Sequence, residues 1–310
     1  MRNFILNLLK FSLLTALLYL LFLFLSGQFL PALFRPNLVY KKGAYGHSFS
    51  RLQEMDSLRE CDLLFLGSSH CYRGFDPRIF ERYGYSSFNL GSSSQSPKQT
   101  RILLQKYLKQ VRPKKVIYEV YPMTFCIDGV EASIDLISNS ETDKYAFDLF
   151  YEVPHVKTLN TYLYTSMRQV LGMDRNFSEP HDKPGDHYVP GGYVEHDLAT
   201  FEGTEVPRQQ WHFKREQFAA FGQIVRDLKE KNIELILVYA PISKELYQSY
   251  SNQQAFDQGI RSCGTYWNFN EIMSLDDHKH FYDDDHLNQQ GVTLFNEKLI
   301  ELLNHPSTQP

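Results

Sequence analysis

The sequence lacks the basic excess that proteins binding nucleic acid usually carry. Its 310 residues include 32 Lys and Arg against 36 Asp and Glu, which gives a formal net charge of -4. A domain that neutralises a phosphate backbone shows clustered Lys and Arg and a high pI, whereas the pI here is near 6.3. Nucleic acid is therefore excluded as the expected partner.

Cysteine is scarce, and its spacing matches no known framework. The four cysteines are Cys61, Cys71, Cys126 and Cys263, and no pair of them follows a CxxC or zinc-site spacing. We expect free, buried thiols rather than a disulfide scaffold, so cysteine does not fix the redox compartment. No cofactor is expected.

Charge is absent from one long stretch near the N-terminus. Phe11–Leu30 has no charged residue and reaches the roughly 20 residues that a helix needs to cross a bilayer. Neither an Ala-x-Ala cleavage site nor a lipobox cysteine follows it, which favours an uncleaved signal anchor in residues 1–32. Arg35 and Lys41 lie just beyond the run and oppose a simple positive-inside assignment. Because the run is so close to the N-terminus, we expect a single-pass anchor in the cytoplasmic membrane, with an extracytoplasmic domain.

Beyond residue 60, short apolar runs alternate with helical patterns. Strands are predicted over residues 62–66, 86–90, 115–120, 233–239 and 265–269, and helices over residues 76–83, 97–111, 205–231, 243–259 and 289–303. This alternation predicts an α/β fold whose parallel sheet is covered by helices on both faces. In such sheets the active site lies at the carboxyl ends of the strands.

The predicted domain organisation has three parts. After the anchor, residues 33–60 are expected to be a linker and a lead-in to the domain, which spans residues 61–304. Residues 123–204 interrupt the strand-helix alternation and are rich in Tyr, Asp, His, Gly and Pro, with a strong turn signal at Pro190–Gly192. We expect this insertion to fold over the strand ends as a cap.

Three short motifs carry residues that suit nucleophilic catalysis. A nucleophilic serine needs an exposed hydroxyl, a base within reach and an acid that orients the base. Taken singly, each motif has a plainer explanation, as a Gly/Ser turn or as an acidic turn that caps the last helix. The motifs are Gly67-Ser68-Ser69-His70 after the first strand, Gly91 after the second, and Asp283-x-x-His286 near the C-terminus.

The acidic turn also suggests a metal as a weaker alternative. Its potential ligands are His278, His280, Asp283, Asp285 and His286. Their spacing matches no regular metal motif, and no distant ligand set accompanies them. A metal-dependent hydrolase therefore remains an alternative, and no metal site is predicted.

Together the three motifs resemble those of the SGNH (GDSL-like) hydrolase superfamily, with Ser68 where that family usually has Asp. The resemblance covers residues 61–122 and 205–304, and it implies a three-layer α/β/α sandwich with a flavodoxin-like parallel sheet. It also implies Ser69 as the nucleophile, His286 as the base and Asp283 as the orienting acid. Asp285, adjacent in sequence, is expected to point elsewhere. The implied oxyanion donors are the backbone N–H groups of Ser69 and Gly91.

The sequence departs from the family at the third strand. The family supplies an Asn there to the oxyanion hole, whereas this strand ends Tyr118-Glu119-Val120-Tyr121-Pro122. Losing one such donor costs about 10²–10³ in rate. Gln95 and Tyr121 are the candidate replacements, and His70 is a further residue expected to line the site.

Within that superfamily, the Gly-Ser-Ser motif, the anchor and the missing Asn resemble one membrane-anchored branch more closely. That branch includes the D-alanyl transfer protein of teichoic acid synthesis and the alginate O-acetyltransferases. The resemblance implies a serine esterase or O-acyltransferase that acts on an acylated cell-envelope glycan through an acyl-serine intermediate. A membrane-bound O-acyltransferase is the protein partner it suggests. The alternative is a catalytically inactive SGNH-like protein that binds glycan or scaffolds a polysaccharide assembly complex.

Overall fold

Five parallel strands form the centre of the fold in a computed structural model of the chain, which describes residues 1–203 and 205–305. The strands β1, β2, β3, β7 and β8 comprise Glu60–Leu66, Ser87–Asn89, Arg112–Glu119, Glu234–Tyr239 and Thr265–Asn268. Neighbouring strands are all paired in parallel, and their order across the sheet is β2-β1-β3-β7-β8. This is the flavodoxin-like order, in which the first strand lies between the second and the third. The predicted parallel α/β sheet is confirmed.

Helices cover both faces of the sheet. Helices α1 to α14 comprise Arg2–Phe29, Ser48–Ser57, Ser69–Gly74, Pro77–Arg82, Pro97–Tyr107, Val130–Asn139, Lys144–Glu152, Val156–Val170, Arg215–Glu230, Lys244–Ser249, Gln253–Arg261, Phe269–Ile272, Asp277–His280 and Gln289–Asn304. One hydrophobic core joins the sheet to α5, α9 and α11, and a second core joins it to α4 and α14 on the other side. The molecule therefore has the three layers that the resemblance implied.

The apolar run of β1 shows why the sheet is buried on both sides. Leu64 and Leu66 belong to one core, whereas Leu63 and Phe65 belong to the other. Side chains alternate between the two faces of a strand, so a strand covered on both faces must be apolar at every position. The unbroken run in the sequence is the consequence.

Two helix predictions differ from the structure for one reason. The helix predicted over 205–231 begins only at Arg215, and the helix predicted over 243–259 is divided into α10 and α11. A β-bridge joins Gln209 to Tyr250 and holds both segments extended at those residues. A long-range backbone pair therefore overrides the local helical preference.

The segment predicted as a linker and lead-in, 33–60, contributes to the core. It contains α2, whose Leu52 and Met55 are buried within the core on the α5 side of the sheet. This segment is thus part of the globular domain rather than a tether.

The insertion at 123–204 has a helical half and a small sheet. Helices α6, α7 and α8 pack on one another and on α2, α5 and α1. The antiparallel strands β4, β5 and β6 comprise Asp182–Lys183, Asp186–Val189 and Tyr193–His196, and β6 packs against α3, the helix that begins at Ser69. The small sheet thus lies near the serine, and a cap over the strand ends stays a prediction.

Helix α1 contains the charge-free stretch of the sequence. Among the described residues it is the one helix long and apolar enough to cross a membrane, although a signal sequence has the same properties. The helix begins at Arg2 and ends at Phe29, so it extends well to the N-terminal side of the predicted span.

Candidate active site

Ser69 lies where the strand order of the sheet reverses, between β1 and β3. It is the first residue of α3, and its side chain is partly exposed while Ser68 is buried. Two glycines allow the strand ends to approach: a Cβ on Gly67 (φ +146°) would lie 2.9 Å from Cβ of Glu119, and one on Gly91 would lie 2.7 Å from the Ser68 carbonyl oxygen. The glycines of both motifs are therefore required by close backbone packing around Ser69.

The structure brings Ser69, His286 and Asp283 together. Ser69 Oγ lies 2.8 Å from His286 Nε2, and His286 Nδ1 lies 3.1 and 3.0 Å from the two carboxylate oxygens of Asp283. Asp283 Oδ1 also accepts the backbone N–H of His286 at 2.7 Å, which fixes the turn. With Nδ1–H donated to Asp283, Nε2 is left to accept the serine hydroxyl, which is the geometry of a Ser-His-Asp triad.

A second carboxylate contacts the same imidazole, and the expectation that Asp285 points elsewhere is wrong. Asp285 Oδ1 lies 2.7 Å from His286 Nδ1, and its Oδ2 lies 3.4 Å from His70 Nε2. The contact with His286 is an ion pair, whereas the aligned hydrogen bond goes to Asp283. The backbone N–H of Asp285 donates to Asp283 Oδ1 at 3.1 Å, and the tight turn directs both carboxylates towards the ring.

These carboxylates make His286 unusually basic. Burial by itself lowers the pKa of His286, but the contacts with Asp283 and Asp285 raise it to about 10. Burial likewise acts to raise the pKa of Asp285, but the positive charge of His286 and the close contacts with His286 and His70 hold that pKa well below its usual range. At neutral pH the imidazole of the free protein is therefore protonated, and it must lose that proton before it can act as a base.

This basicity predicts a steep pH dependence. If His286 acts as the base, kcat/KM for a small ester should rise about tenfold per pH unit between about pH 6 and 9, because the fraction of neutral imidazole grows in that proportion below its pKa. Asp285→Asn removes one of the two carboxylates, so the rising limb should move to lower pH. The measurement is a pH-rate profile of both proteins under identical conditions.

Asp284→Asn is the charge-matched control for that experiment. Asp284 lies in the same turn, but His286 Nδ1 is paired with Asp283 and Asp285. The control should move the limb less than Asp285→Asn. An equal shift in both variants would mean that the general charge of the loop, rather than the contact with Asp285, sets the pKa of His286.

His70 and Tyr121 lie beside the catalytic pair. The two rings are stacked with their centroids 4.1 Å apart, and the His70 ring lies 4.9 Å from that of His286. Both side chains are almost fully buried. The two residues thus form a wall behind His286, and direct contact with a substrate stays a prediction for each.

Gln95 is buried within its own loop. Its side-chain N–H group donates to Thr100 Oγ1 at 3.0 Å and to the Leu90 carbonyl at 3.3 Å, while its oxygen accepts from Ser92 Oγ at 3.0 Å. These bonds stabilise the turn after β2 and occupy the amide donors that an oxyanion hole would use. A donor role for Gln95 is not favoured by this arrangement.

The loop of Gly91 is held by Arg51, a residue that no motif in the sequence indicated. Arg51 of α2 is buried and donates from Nη1 to the Gly91 carbonyl at 3.0 Å and from Nε to the Gly192 carbonyl at 2.9 Å. It thereby ties the turn after β2 to the small sheet. Burial raises the pKa of the Cys71 thiol, and the nearby Gly91 N–H opposes that rise. Because this N–H already interacts with Cys71, a role for Gly91 as an oxyanion donor stays a prediction.

A buried carboxyl lies directly below the serine loop. Glu119 ends β3, at the position where the family that the sequence resembles has its third motif, and its side chain is fully buried near the backbone N–H groups of Ser68, Tyr121 and Ala240. Burial raises the pKa of Glu119 to about 7, against the opposing effects of His70 and nearby backbone N–H groups. The sequence signal was a charged residue directly after the apolar run Val116-Ile117-Tyr118 of β3.

The small sheet supports His286 from the other side. Arg73 of α3 forms an ion pair with Asp186, with Nη1 and Oδ1 2.7 Å apart, and His196 lies 3.0 Å from the same carboxylate. The His196 ring packs on Tyr282 at 4.3 Å, and Tyr282 is in turn stacked 5.5 Å from His286. The insertion therefore restricts the position of the candidate base.

The ligand patch that favoured a metal is divided in the structure. His278 Nδ1 contacts the Phe201 carbonyl oxygen, and His280 Nδ1 accepts the backbone N–H of Asp276. The groups close enough to share an ion are His70, Asp285 and His286, and separately the three consecutive aspartates 283–285. The first group includes the histidine that contacts Ser69, so a metal there would compete with the triad contact.

A very small cavity lies beside His286. It is bounded by His70, Asp285 and His286 among others and encloses only about 10 Å³, which is scarcely one water molecule. Ser69 does not line this cavity, and its own side chain is partly exposed to solvent.

Fold and site together define an α/β protein with a Ser-His-Asp arrangement at the carboxyl edge of a parallel sheet. No family model and no curated protein matches this chain. The chain is similar to the solved structure of a proposed acylhydrolase from Bacteroides fragilis, at 11% identity and a TM-score of 0.42, over 84% of this chain and 98% of that one. It is also similar to that of a GDSL-like lipase from Bacteroides thetaiotaomicron, at 11% identity and a TM-score of 0.38, over 83% and 98% of the two chains. Both likenesses are too remote for the neighbours' activities to be carried over.

Proposed function

We propose that this protein is a membrane-anchored serine esterase or O-acyltransferase that acts on an acylated cell-envelope glycan. The observation that carries the proposal is the 2.8 Å contact between Ser69 Oγ and His286 Nε2, with Asp283 on the opposite ring nitrogen. In the proposed reaction Ser69 Oγ attacks the ester carbonyl while its proton passes to His286 Nε2. The proton then passes to the departing alcohol oxygen, and acyl-Ser69 is the product of this half of the reaction.

The second half of the reaction distinguishes an esterase from a transferase. Water or an acceptor hydroxyl attacks the carbonyl of acyl-Ser69 and gives its proton to His286 Nε2. The bond to Ser69 Oγ then breaks, His286 returns the proton to that oxygen, and the acid or the new ester departs. An acyl donor and a membrane-bound O-acyltransferase remain the proposed partners for transfer.

A fluorophosphonate probe and a small acyl ester test the proposal. The purified full chain should be labelled covalently at Ser69 and should release alcohol from the ester, because both need only an activated hydroxyl and an oxyanion site. Faster release of alcohol on adding an acylatable glycan would favour transfer over hydrolysis. Retention of activity after treatment with a chelator would argue against the metal-dependent alternative.

The inactive scaffold remains the second candidate for a specific reason. Glu119 stands at the end of the third strand, the Asn of the related family is missing, and the Gly91 N–H interacts with Cys71. A protein that resists both the probe and the ester but still binds envelope glycan would be better described as this scaffold.

The membrane placement is tested separately. A fusion of alkaline phosphatase after Pro310 should be active in cells and a fluorescent cytoplasmic reporter at the same position should be dark, because α1 is proposed to place the domain outside the membrane. The protein should also stay in the membrane fraction without detergent. The reverse reporter pattern would contradict the orientation, and a soluble protein trimmed at its N-terminus would contradict the anchor.

A further inference from the structure

Helix α1 is packed against the globular domain along its C-terminal third. Tyr19 Oη donates to Asn160 Oδ1 of α8 at 2.6 Å, and Gln28 Nε2 donates to Tyr164 Oη at 3.0 Å. Gly27 lies so close to α8 that a Cβ there would be 2.2 Å from the Tyr164 ring. The domain is therefore not joined to α1 by a flexible linker alone, because it contacts α1 from Tyr19 onwards.

This contact overlaps the charge-free stretch. Lys10 is the last charge before the apolar run, and at about 1.5 Å per residue Tyr19 lies about 14 Å further along the axis. The hydrocarbon core of a bilayer is about 30 Å thick. With Lys10 at the inner boundary, Tyr19 lies near the centre of the bilayer, and the contact of α1 with α8 extends from there through the outer leaflet.

The alternative placement of α1 is unfavourable. If Tyr19 lay at the outer boundary of the bilayer, Lys10 would lie near the bilayer centre, where a charged side chain is costly. The free part of the helix, from Arg2 to Leu18, would then span only about 25 Å, which is shorter than the hydrocarbon core.

The domain surface beside the end of α1 is apolar. Val170 at the end of α8 is 84% exposed and Leu171 is 61% exposed, and Met173 Sδ lies 3.7 Å from Gln28 Nε2. In the turn that follows α1, Leu33 and Phe34 are exposed as well. Large apolar side chains grouped at the end of a membrane helix are typical of a surface that lies in the bilayer interface.

We propose that residues 170–173, together with Leu33 and Phe34, insert into the acyl-chain region of the outer leaflet, so that the domain docks on the lipid surface as well as being anchored by α1. The proposal rests on the membrane anchoring proposed above. The exposed Arg175 follows the apolar residues and is placed to reach lipid phosphates. The docked surface fixes the orientation of the catalytic domain relative to the membrane.

Fluorescence quenching by brominated lipids tests this docking in the full chain. The Leu171→Trp variant is reconstituted in vesicles of phosphatidylcholine and phosphatidylglycerol that contain lipids brominated near the glycerol backbone. The matched control is Leu294→Trp, because Leu294 is an exposed apolar residue (42%) on α14, in the layer on the opposite face of the sheet. The native Trp211 and Trp267 are buried and contribute the same background to both variants.

Quenching of the added indole by brominated lipid should be about twofold or more stronger in Leu171→Trp than in Leu294→Trp, because a docked surface lies about 5–10 Å deep in the interface. Equal quenching in both variants, with the indole open to aqueous acrylamide, would overturn the docking. An indole shielded from lipid and acrylamide alike would also overturn it, because a protein would then cover the surface. Protein that floats with the vesicles but is not quenched refutes the docking alone, whereas protein that does not float refutes the anchor as well.

Discussion

Ser69→Ala should abolish covalent labelling by a fluorophosphonate and lower the turnover of a small ester by about 10⁶, the scale on which removal of a catalytic serine acts. The reason is that Ser69 Oγ is the group placed 2.8 Å from the candidate base. The measurement combines mass spectrometry of the labelled protein with steady-state kinetics. Circular dichroism and thermal unfolding should match the unmodified chain, since the hydroxyl is partly exposed.

Ser68→Ala is the matched control for that loss. This substitution also removes a serine hydroxyl, from the residue directly before Ser69. Ser68 Oγ is buried without a hydrogen-bond partner in the described structure. This control should keep its labelling, and His286→Ala should resemble Ser69→Ala. The Ser69→Ala, His286→Ala double variant should be little worse than either single one, because the residues act as one unit. Labelling that persists in Ser69→Ala would refute the assignment of the nucleophile.

Asp283→Asn should lower kcat by about 10⁴ with little change in fold, because an amide in place of the carboxylate favours the wrong tautomer of the imidazole. Both oxygens of Asp283 are within hydrogen-bonding distance of His286 Nδ1. The expected signature is a loss in kcat with a smaller change in KM, measured with the same ester that serves for the serine variant.

Asp285→Asn is the discriminating partner of that variant. Asp285 approaches the same nitrogen without an aligned hydrogen bond, and its side chain is less exposed than that of Asp283, at 21% against 41%. We expect a loss on the order of 10 to 10², mainly from the weaker electrostatic stabilisation of the imidazolium. If Asp285→Asn were the more damaging of the two, Asp285 would be the orienting acid and the family-based assignment of Asp283 would be wrong.

Two carboxylates around one imidazole also bear on which step limits the rate. A His286 with a pKa of about 10 is a strong base, but only a small fraction of it is neutral at pH 7. Attack of Ser69 on the ester and attack of water or an acceptor on acyl-Ser69 both depend on that neutral fraction. The slow step at neutral pH should therefore be one that needs the base.

Much of the fold could be read from the sequence, because the evidence for it is local. The unbroken apolar runs of β1, β3 and β7 indicate strands buried on both faces, and their alternation with helices indicates a parallel sheet. The two helix boundaries that differ, at Arg215 and near Tyr250, depend on a bridge between residues 41 positions apart along the chain, which no local pattern records.

The sequence by itself determined the parallel sheet and the apolar N-terminal helix, because each rests on residue type and periodicity, and the roles of Ser69, Asp283 and His286 were predicted from the three motifs and the family they resemble. Only the tertiary structure decided that Asp285 joins Asp283 at the imidazole, that Arg51 holds the Gly91 turn, and that the carboxyl group of Glu119 lies buried beneath the serine loop. It alone packed α1 on α8. These features depend on distant segments meeting at one edge of the sheet, and burial there changes the charge state of each group in a way that spacing along a chain does not encode.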